Sequence, residues 1–323
     1  MTQVDLPLFA QFPALASLPR AVLCRLPSPV EPLTRLGRDL WIKRDDLNAP
    51  FCGGNKVRAL EFLLGRIGQG DTVITVGGAG STHVLATAIH SKRLGAGTVA
   101  LRWKHDMNPV AESIDSRIAS AIASSPVHRT PLTAIATARY RAFSRGAHYL
   151  PVGGSLPLGI LGHVNAALEL AGQIEREEMP MPACVVLPLG TGGTVAGMLL
   201  GFMIAGLPVE IVAARVGPRL FSNGRKVFGL ALSTSRLIEQ VTGERIPRID
   251  PWMLRVVHHV YGGAYGRPLP RANKAAKDLH DATGIQLDET YSAKAWVAAL
   301  DESRAAKGPV LFWLTFDASC LTS

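Results

Sequence analysis

Apolar and polar positions along this chain switch between two periods. Short apolar runs alternate with stretches whose apolar residues recur at three- and four-residue spacing. Thr72–Val76 reads as a buried strand and Val84–Leu94 as the helix that follows it. Thr98–Trp103 is a second strand, followed by helical patterns over Ala111–Ala123 and Leu132–Arg145 and a strand at His148–Val152. Leu161–Glu178 then reads as a helix, Ala183–Leu189 as an apolar strand, Val195–Ala205 as a helix and Val209–Arg215 as a strand. Pro270–Ala282 and Ser292–Ala306 are helical, and Val310–Leu314 is a final strand. Ahead of them lie a charged, strand-like run, Trp41–Asp46, and an amphipathic helix after Lys56 marked by Leu60, Leu63, Leu64 and Ile67. Such alternation is the signature of an α/β fold with parallel sheets. Gly/Pro-rich junctions near residues 50 and 155 predict a small α/β domain, 51–155, inside a larger one built from 1–50 and 156–323.

Composition narrows the class. A chain of 323 residues, 47% hydrophobic and 18% charged, buries a sizeable core and is not a disordered chain. The net charge of +9 is dispersed, with no Lys/Arg block interleaved with aromatics. That pattern favours solubility and attraction of anionic small molecules over nucleic-acid binding. Cys24, Cys52, Cys184 and Cys320 are scattered, with no C-x-x-C pair, which argues against a metal site or a disulfide framework and for a reducing compartment. Met1–Asp5 has no basic leader and no long apolar run follows, so a cytoplasmic protein without a membrane span is expected.

Four features carry candidate chemistry. In Cys52-Gly53-Gly54-Asn55-Lys56-Val57-Arg58, a lysine follows a Gly-Gly-Asn turn where a helix begins. A lysine placed there can enter a closed site, have its pKa lowered by desolvation and form a Schiff base with a carbonyl compound. A surface lysine in a first helical turn fits the same stretch. Strand, then Gly190-Thr191-Gly192-Gly193-Thr194, then helix forms an anion cradle. A Walker loop would need a lysine there, and a dinucleotide fingerprint would need glycine where Val195 stands. The loop from Gly77 to His83 offers Ser81 and Thr82 hydroxyls at a helix start, suited to a carboxylate or to simple N-capping. Gly153-Gly154-Ser155 implies a close backbone approach, and Tyr265 and Tyr291 are presented in Gly-flanked and Thr-Tyr-Ser segments.

In combination these motifs resemble the pyridoxal-phosphate enzymes of the D-cysteine desulfhydrase and aminocyclopropane-carboxylate deaminase group, of the tryptophan-synthase-β type. Lys43-Arg44-Asp45-Asp46, Gly53–Arg58, Pro151–Ser155, Gly190–Thr194 and the two tyrosine segments carry the resemblance, which runs from about Pro19 to Phe312. It implies two open, twisted, mostly parallel sheets with helices on both faces. It implies that Lys56 holds pyridoxal 5'-phosphate as a Schiff base and moves the Cα proton of a small amino acid. Gly190, Thr191, Gly192, Gly193 and Thr194 would hold the phosphate, with Asn55, Thr82 and Thr315 also at the cofactor. Ser81, Thr82, His83, Tyr265 and Tyr291 would face the substrate, with Ser81 and the tyrosines in catalytic roles. A homodimer is the usual assembly of the family.

The sequence departs from the family pattern in places. Gly80-Ser81-Thr82 stands for Gln-Ser-Asn, His163 for a common tyrosine, and Ser292 for the glutamate of the deaminases proper. Leu314-Thr315-Phe316-Asp317 replaces His-Thr-Gly-Gly, so that Thr315 or Asp317 would meet the pyridine nitrogen. The expected activity is α,β-elimination to a keto acid and ammonia. A racemase, an aminocyclopropane-carboxylate deaminase, a sulfo-lyase and a silent cofactor-binding protein remain the alternatives.

Overall fold

Strands that are apolar on both faces must be covered on both, and this requirement organises the chain into helix-flanked sheets. The computed structural model describes residues 6–37, 39–105, 107–122, 124–318 and 321. The expectations at Met1–Asp5, Ala123 and Cys320 lie outside the described residues. In chain order the helices are α1 (Pro7–Gln11), α2 (Asn55–Leu63), α3 (Thr82–Arg93), α4 (Pro109–Ala121), α5 (Pro131–Arg145), α6 (Pro157–Glu175), α7 (Gly193–Ile204), α8 (Gly224–Thr242), α9 (Pro270–Thr283) and α10 (Ser292–Ala305). The strands are β1 (Val30–Pro32), β2 (Leu40–Arg44), β3 (Thr72–Gly78), β4 (Gly97–Trp103), β5 (Val127–His128), β6 (His148–Leu150), β7 (Cys184–Leu189), β8 (Glu210–Arg215), β9 (Leu254–Val257) and β10 (Val310–Leu314).

The larger sheet has the order β1-β2-β10-β7-β8-β9 and is parallel except for β1. The smaller, β5-β4-β3-β6, is parallel throughout. β10 runs between β2 and β7, pairing Phe312 with both Ile42 and Val186. All residues of β7 and β10 are buried. Successive side chains go to opposite faces: Phe312 packs with Trp296 in one core, and Trp313 packs with Leu187, Met198 and Phe202 in the other. Among the described residues, no helix is long and apolar enough to cross a membrane.

The expected strands and helices form, with shifted ends. The helix expected from Leu161 begins at Pro157, because Gly159 and Gly162 are interior to it rather than part of a loop. A Cβ at Gly162 would lie 2.1 Å from the Arg58 carbonyl oxygen, so glycine there is what lets α2 pack against α6. Periodicity does not predict α1, β1, α8 or β9, all of which form. α8 is nevertheless amphipathic, burying Val227, Ala231, Thr234 and Ile238 and opening on Asn223, which accepts from the Lys226 amide.

A buried ionic network joins β2, α2 and α6. The Arg58 guanidinium donates to Asp45 (Nη2–Oδ1 2.7 Å, Nε–Oδ2 2.9 Å) and to both oxygens of Glu169 at 3.0 Å. Lys43 Nζ donates to Glu169 Oε1 and to the Ser28 carbonyl, each at 2.6 Å. None of the four side chains is more than 3% exposed. Burial alone would raise Glu169, but Arg58 and Lys43 outweigh it and hold the carboxyl at about 2. Lys43 and Asp45, carriers of the resemblance with no role assigned by sequence, are thus the scaffold under α2.

Glu169→Gln should therefore destabilise the protein by about 3–5 kcal/mol, because it leaves the buried Lys43 ammonium without its carboxylate while Arg58 keeps only Asp45. The loss is read as a lower denaturant midpoint at neutral pH. Because the folded-state pKa is depressed, the wild-type contribution is complete above the unfolded value of about 4.3 and fades as pH falls through the folded value. The gap between variant and wild type should close over that acid window.

Candidate functional site

Two parallel βα units bring their loops to one place, at the carboxyl ends of β3 and β7, where open α/β sheets form their crevices. The turn ahead of α2 completes it. Gly54 sits at φ 137°, and a Cβ there would be 2.3 Å from the Thr315 carbonyl oxygen. That approach lets the Asn55 amide donate to Thr315 O at 3.0 Å, while the Asn48 side chain bonds both the N–H and the C=O of Gly54. The start of α2 is thereby fastened to the end of β10. Residues two apart on a helix are rotated by about 200°. With Arg58 fixed in the ionic network, Lys56 faces away from it.

Lys56 keeps some accessible surface, yet its amine is surrounded by protein and has no carboxylate partner among the described residues; Nζ lies 3.4 Å from the Gly153 carbonyl oxygen. Desolvation lowers its pKa to about 8. Two buried histidines flank it. His83 Nε2 is 3.2 Å from Thr75 Oγ1, and burial, then the nearby Lys56 charge, push its pKa down to about 3. His163 is driven well below its ordinary value by burial, then by Lys56 and Arg58. Both rings are neutral.

The glycine loop after β7 gathers hydroxyls at the N-terminus of α7. Asn55 Nδ2 donates to Thr194 Oγ1 at 2.8 Å, and Ser155 Oγ lies 2.8 Å from Thr191 Oγ1. Ser222 donates to the Gly190 carbonyl at 2.7 Å, steadying the loop. The first amides of α7 have no acceptor within the helix and add positive potential. The sequence-expected cradle, Gly190–Thr194, and Asn55 are therefore brought to Lys56.

Ser81, Thr82, Tyr265 and Tyr291 form an adjoining group. Ser81 caps α3, accepting from the Val84 amide at 3.4 Å, so its own hydrogen is free to donate. The Tyr265 and Tyr291 hydroxyls are hydrogen-bonded to each other, and Tyr291 also bonds Thr82. Burial raises Tyr265 to about 12 and Tyr291 further, so both phenols keep their protons. A Cβ at Gly190 would lie 3.7 Å from the Tyr291 ring, which puts the tyrosines next to the cradle. His83, expected at the substrate, is bonded instead to Thr75 and the Pro151 backbone, beside Lys56. Thr315 is buried at the β10 exit, and Asp317 lies near enough to Asp46 to help raise its pKa after burial has done so.

Sequence reasoning does not find His105 and Asn108, in the β4–α4 loop. His105 donates to the Ala79 carbonyl at 2.7 Å and stacks edge-on against Tyr265, with ring centroids 4.8 Å apart. Asn108 caps α4 and donates across to Gly266 O at 2.8 Å and Thr290 Oγ1 at 3.1 Å. No local motif announces either residue; only the helix-capping pattern Asn108-Pro109 was there to read.

Comparison with known proteins matches this arrangement. A family model described as pyridoxal-phosphate dependent enzyme matches residues 23–315. The chain is 35% identical over 318 residues to nocardicin C-9' epimerase of Nocardia uniformis subsp. tsuyamanensis, covering 93% of each chain. It is 31% identical over 330 residues to D-cysteine desulfhydrase of Salmonella paratyphi A, covering 95% of this chain and 96% of the other. The crystal structure of an ACC deaminase homologue superposes with a TM-score of 0.79 at 27% identity, over 97% of this chain and 95% of that one.

The lowered pKa of Lys56 has a direct readout. Acylation of Lys56 by a small acid anhydride, which transfers its acyl group to the free amine and releases a carboxylate, should reach half its maximal rate near pH 8 when read by peptide mass spectrometry. Exposed lysines should continue to gain reactivity towards about pH 10.4. A Lys56 profile superimposed on theirs would refute a desolvated amine.

Proposed function

Because the chain belongs to the family of pyridoxal-phosphate-dependent enzymes, we propose that Lys56 carries the cofactor and that the enzyme eliminates a β-substituent from a small amino acid. The observation that carries this reading is a buried amine without a carboxylate, set beside the hydroxyl-lined N-terminus of α7. These residues suit the cofactor: the amine for its carbonyl, and Thr191, Thr194, Ser155 and the first α7 amides for its phosphate. Bound pyridoxal phosphate supplies an electron sink for the charge left at Cα when a proton departs.

The chain's own groups do the rest. Lys56 Nζ, with its pKa lowered to about 8, takes and returns the Cα proton near neutral pH. Ser81 Oγ–H and Thr82 Oγ–H hold the substrate carboxylate at the α3 N-terminus, and Ser81 assists proton transfer. Tyr265 and Tyr291 are both protonated and share one hydrogen bond, and the phenol hydrogen not used between them donates to the departing β-group. Thr315 rather than Asp317 faces the pyridine nitrogen, a reading supported by Thr315's burial against the α2 turn. The reading also includes a homodimer, a small domain over 51–155 and a cytoplasmic location. The buried thiols of Cys24, Cys52 and Cys184 suit a reducing compartment.

A second reading is epimerisation at Cα, favoured by the likeness to nocardicin C-9' epimerase over 93% of the chain. Elimination releases ammonia and a keto acid, whereas epimerisation changes optical rotation and releases neither.

Protein supplied with pyridoxal phosphate should turn yellow and retain the label after borohydride reduction, and Lys56→Ala should retain none. Protein that stays colourless would end the proposal. On a panel of D- and L-amino acids, Ser81→Ala should slow keto-acid release by roughly 100-fold, the scale of lost acid–base assistance. Unchanged turnover removes Ser81 from the proton path.

A further inference from the structure

His163 lies on α6 and has no part in the chemistry described so far. It is 3% exposed, its Nε2 lies 3.4 Å from Thr194 Oγ1, and its Nδ1 has no partner among the described residues. The approach is built into the helix pair. A Cβ on Gly197 of α7 would come within 2.5 Å of His163 Cβ, so glycine there is what allows the imidazole to reach the first turn of α7.

Counting donors and acceptors gives the ring a role. A hydroxyl has two acceptor positions and one hydrogen to give. Asn55 Nδ2 occupies one acceptor position of Thr194 Oγ1 at 2.8 Å. The imidazole is neutral, since burial and then the Lys56 and Arg58 charges disfavour the cation. If the ring proton sat on Nδ1 it would be a buried donor with no acceptor, a rarer and costlier arrangement than an unpaired acceptor. The ring proton is therefore on Nε2, which fills the second acceptor position. Thr194 is left with a hydrogen to donate and no remaining capacity to accept.

We propose that His163 is a positioning residue of the anion cradle which, together with Asn55, fixes the Thr194 hydroxyl as an obligate donor to the cofactor's phosphate. This rests on the reading that Lys56 and the 190–194 loop hold pyridoxal phosphate. A hydroxyl so constrained must give its hydrogen to an acceptor, and it binds an anionic oxygen more strongly than a neutral one.

The test compares pyridoxal phosphate with pyridoxal, which has the same aldehyde ring and no phosphate. Dissociation constants are measured from the absorbance of the Lys56-linked chromophore, with folding checked by circular dichroism. His163→Phe should weaken pyridoxal phosphate binding by roughly 10- to 100-fold, the value of a hydrogen bond to a charged group, and should leave pyridoxal binding unchanged. His163→Gln, whose amide can donate from near the Nε2 position, should recover most of the affinity. Thr194→Val should show the same phosphate-only loss, and adding His163→Phe or His163→Gln to it should cost nothing more.

Equal losses for both ligands, or no loss in His163→Phe, overturn the proposal. If His163→Phe does not fold, a further loss on adding His163→Gln to Thr194→Val overturns it instead. Wild-type protein that binds both ligands equally refutes the phosphate-loop reading and this proposal with it. A phosphate preference as large in His163→Phe as in the wild type refutes this proposal alone.

Discussion

Two buried cations, Arg58 and Lys43, meet two buried carboxylates, Asp45 and Glu169, beneath the first turn of α2. Each charge is tolerable only because the others are present. A guanidinium bound through its planar fork fixes direction as well as distance. The network therefore sets the rotation of α2 about its axis, and this rotation decides where Lys56 points. The close packing of α2 on α6 at Gly162 and the fastening of Gly54 to β10 have the same effect from either side. The reactive amine is placed by residues that never meet the ligand.

The two lysines show how one physical term serves opposite ends. Burial lowers the pKa of both Lys43 and Lys56. Lys43 is compensated by Glu169 and becomes a structural cation. Lys56 has no carboxylate, so its free amine is within reach near neutral pH. Neutral His83 and His163 beside it add no competing charge. The cradle at α7 has positive potential from backbone amides and oriented hydroxyls, so it does not depend on the lysine for charge.

Much of this was legible in the chain. The glycine loops after β3 and β7 and the turn before Lys56 carry their geometry locally, in residues adjacent in sequence. The central strands β3, β4, β7, β8 and β10 read cleanly because they are largely continuous apolar runs, whereas the edge strands β1, β5 and β9 carry no such run. Gly159 hid the start of α6, since helix-interior glycine is locally unfavourable and is repaid only by packing, here against Leu63 of α2. α8 escaped because small Ala231 and polar Thr234 thin its buried stripe while apolar Leu232 lies on the exposed face. His105, Asn108 and the function of Lys43–Asp45 depend on contacts between distant segments, and no spacing along the chain encodes those. His163 was visible only as a departure from the family pattern, and its meaning needed Thr194 and Asn55 beside it.

The crevice has unlike margins. Its floor, where α2 meets α6, is closed by apolar packing and fully buried ions. Its rim is closed by Asn108 reaching Gly266 and Thr290, by Thr82 reaching Tyr291, and by His105 against Tyr265. Each rim hydrogen bond can be exchanged for one to water at a net cost of only about 0.5–1.5 kcal/mol. The floor offers no such exchange. The two margins are therefore unequal: loosening of the crevice would begin at the tyrosine side and not where α2 is anchored on α6.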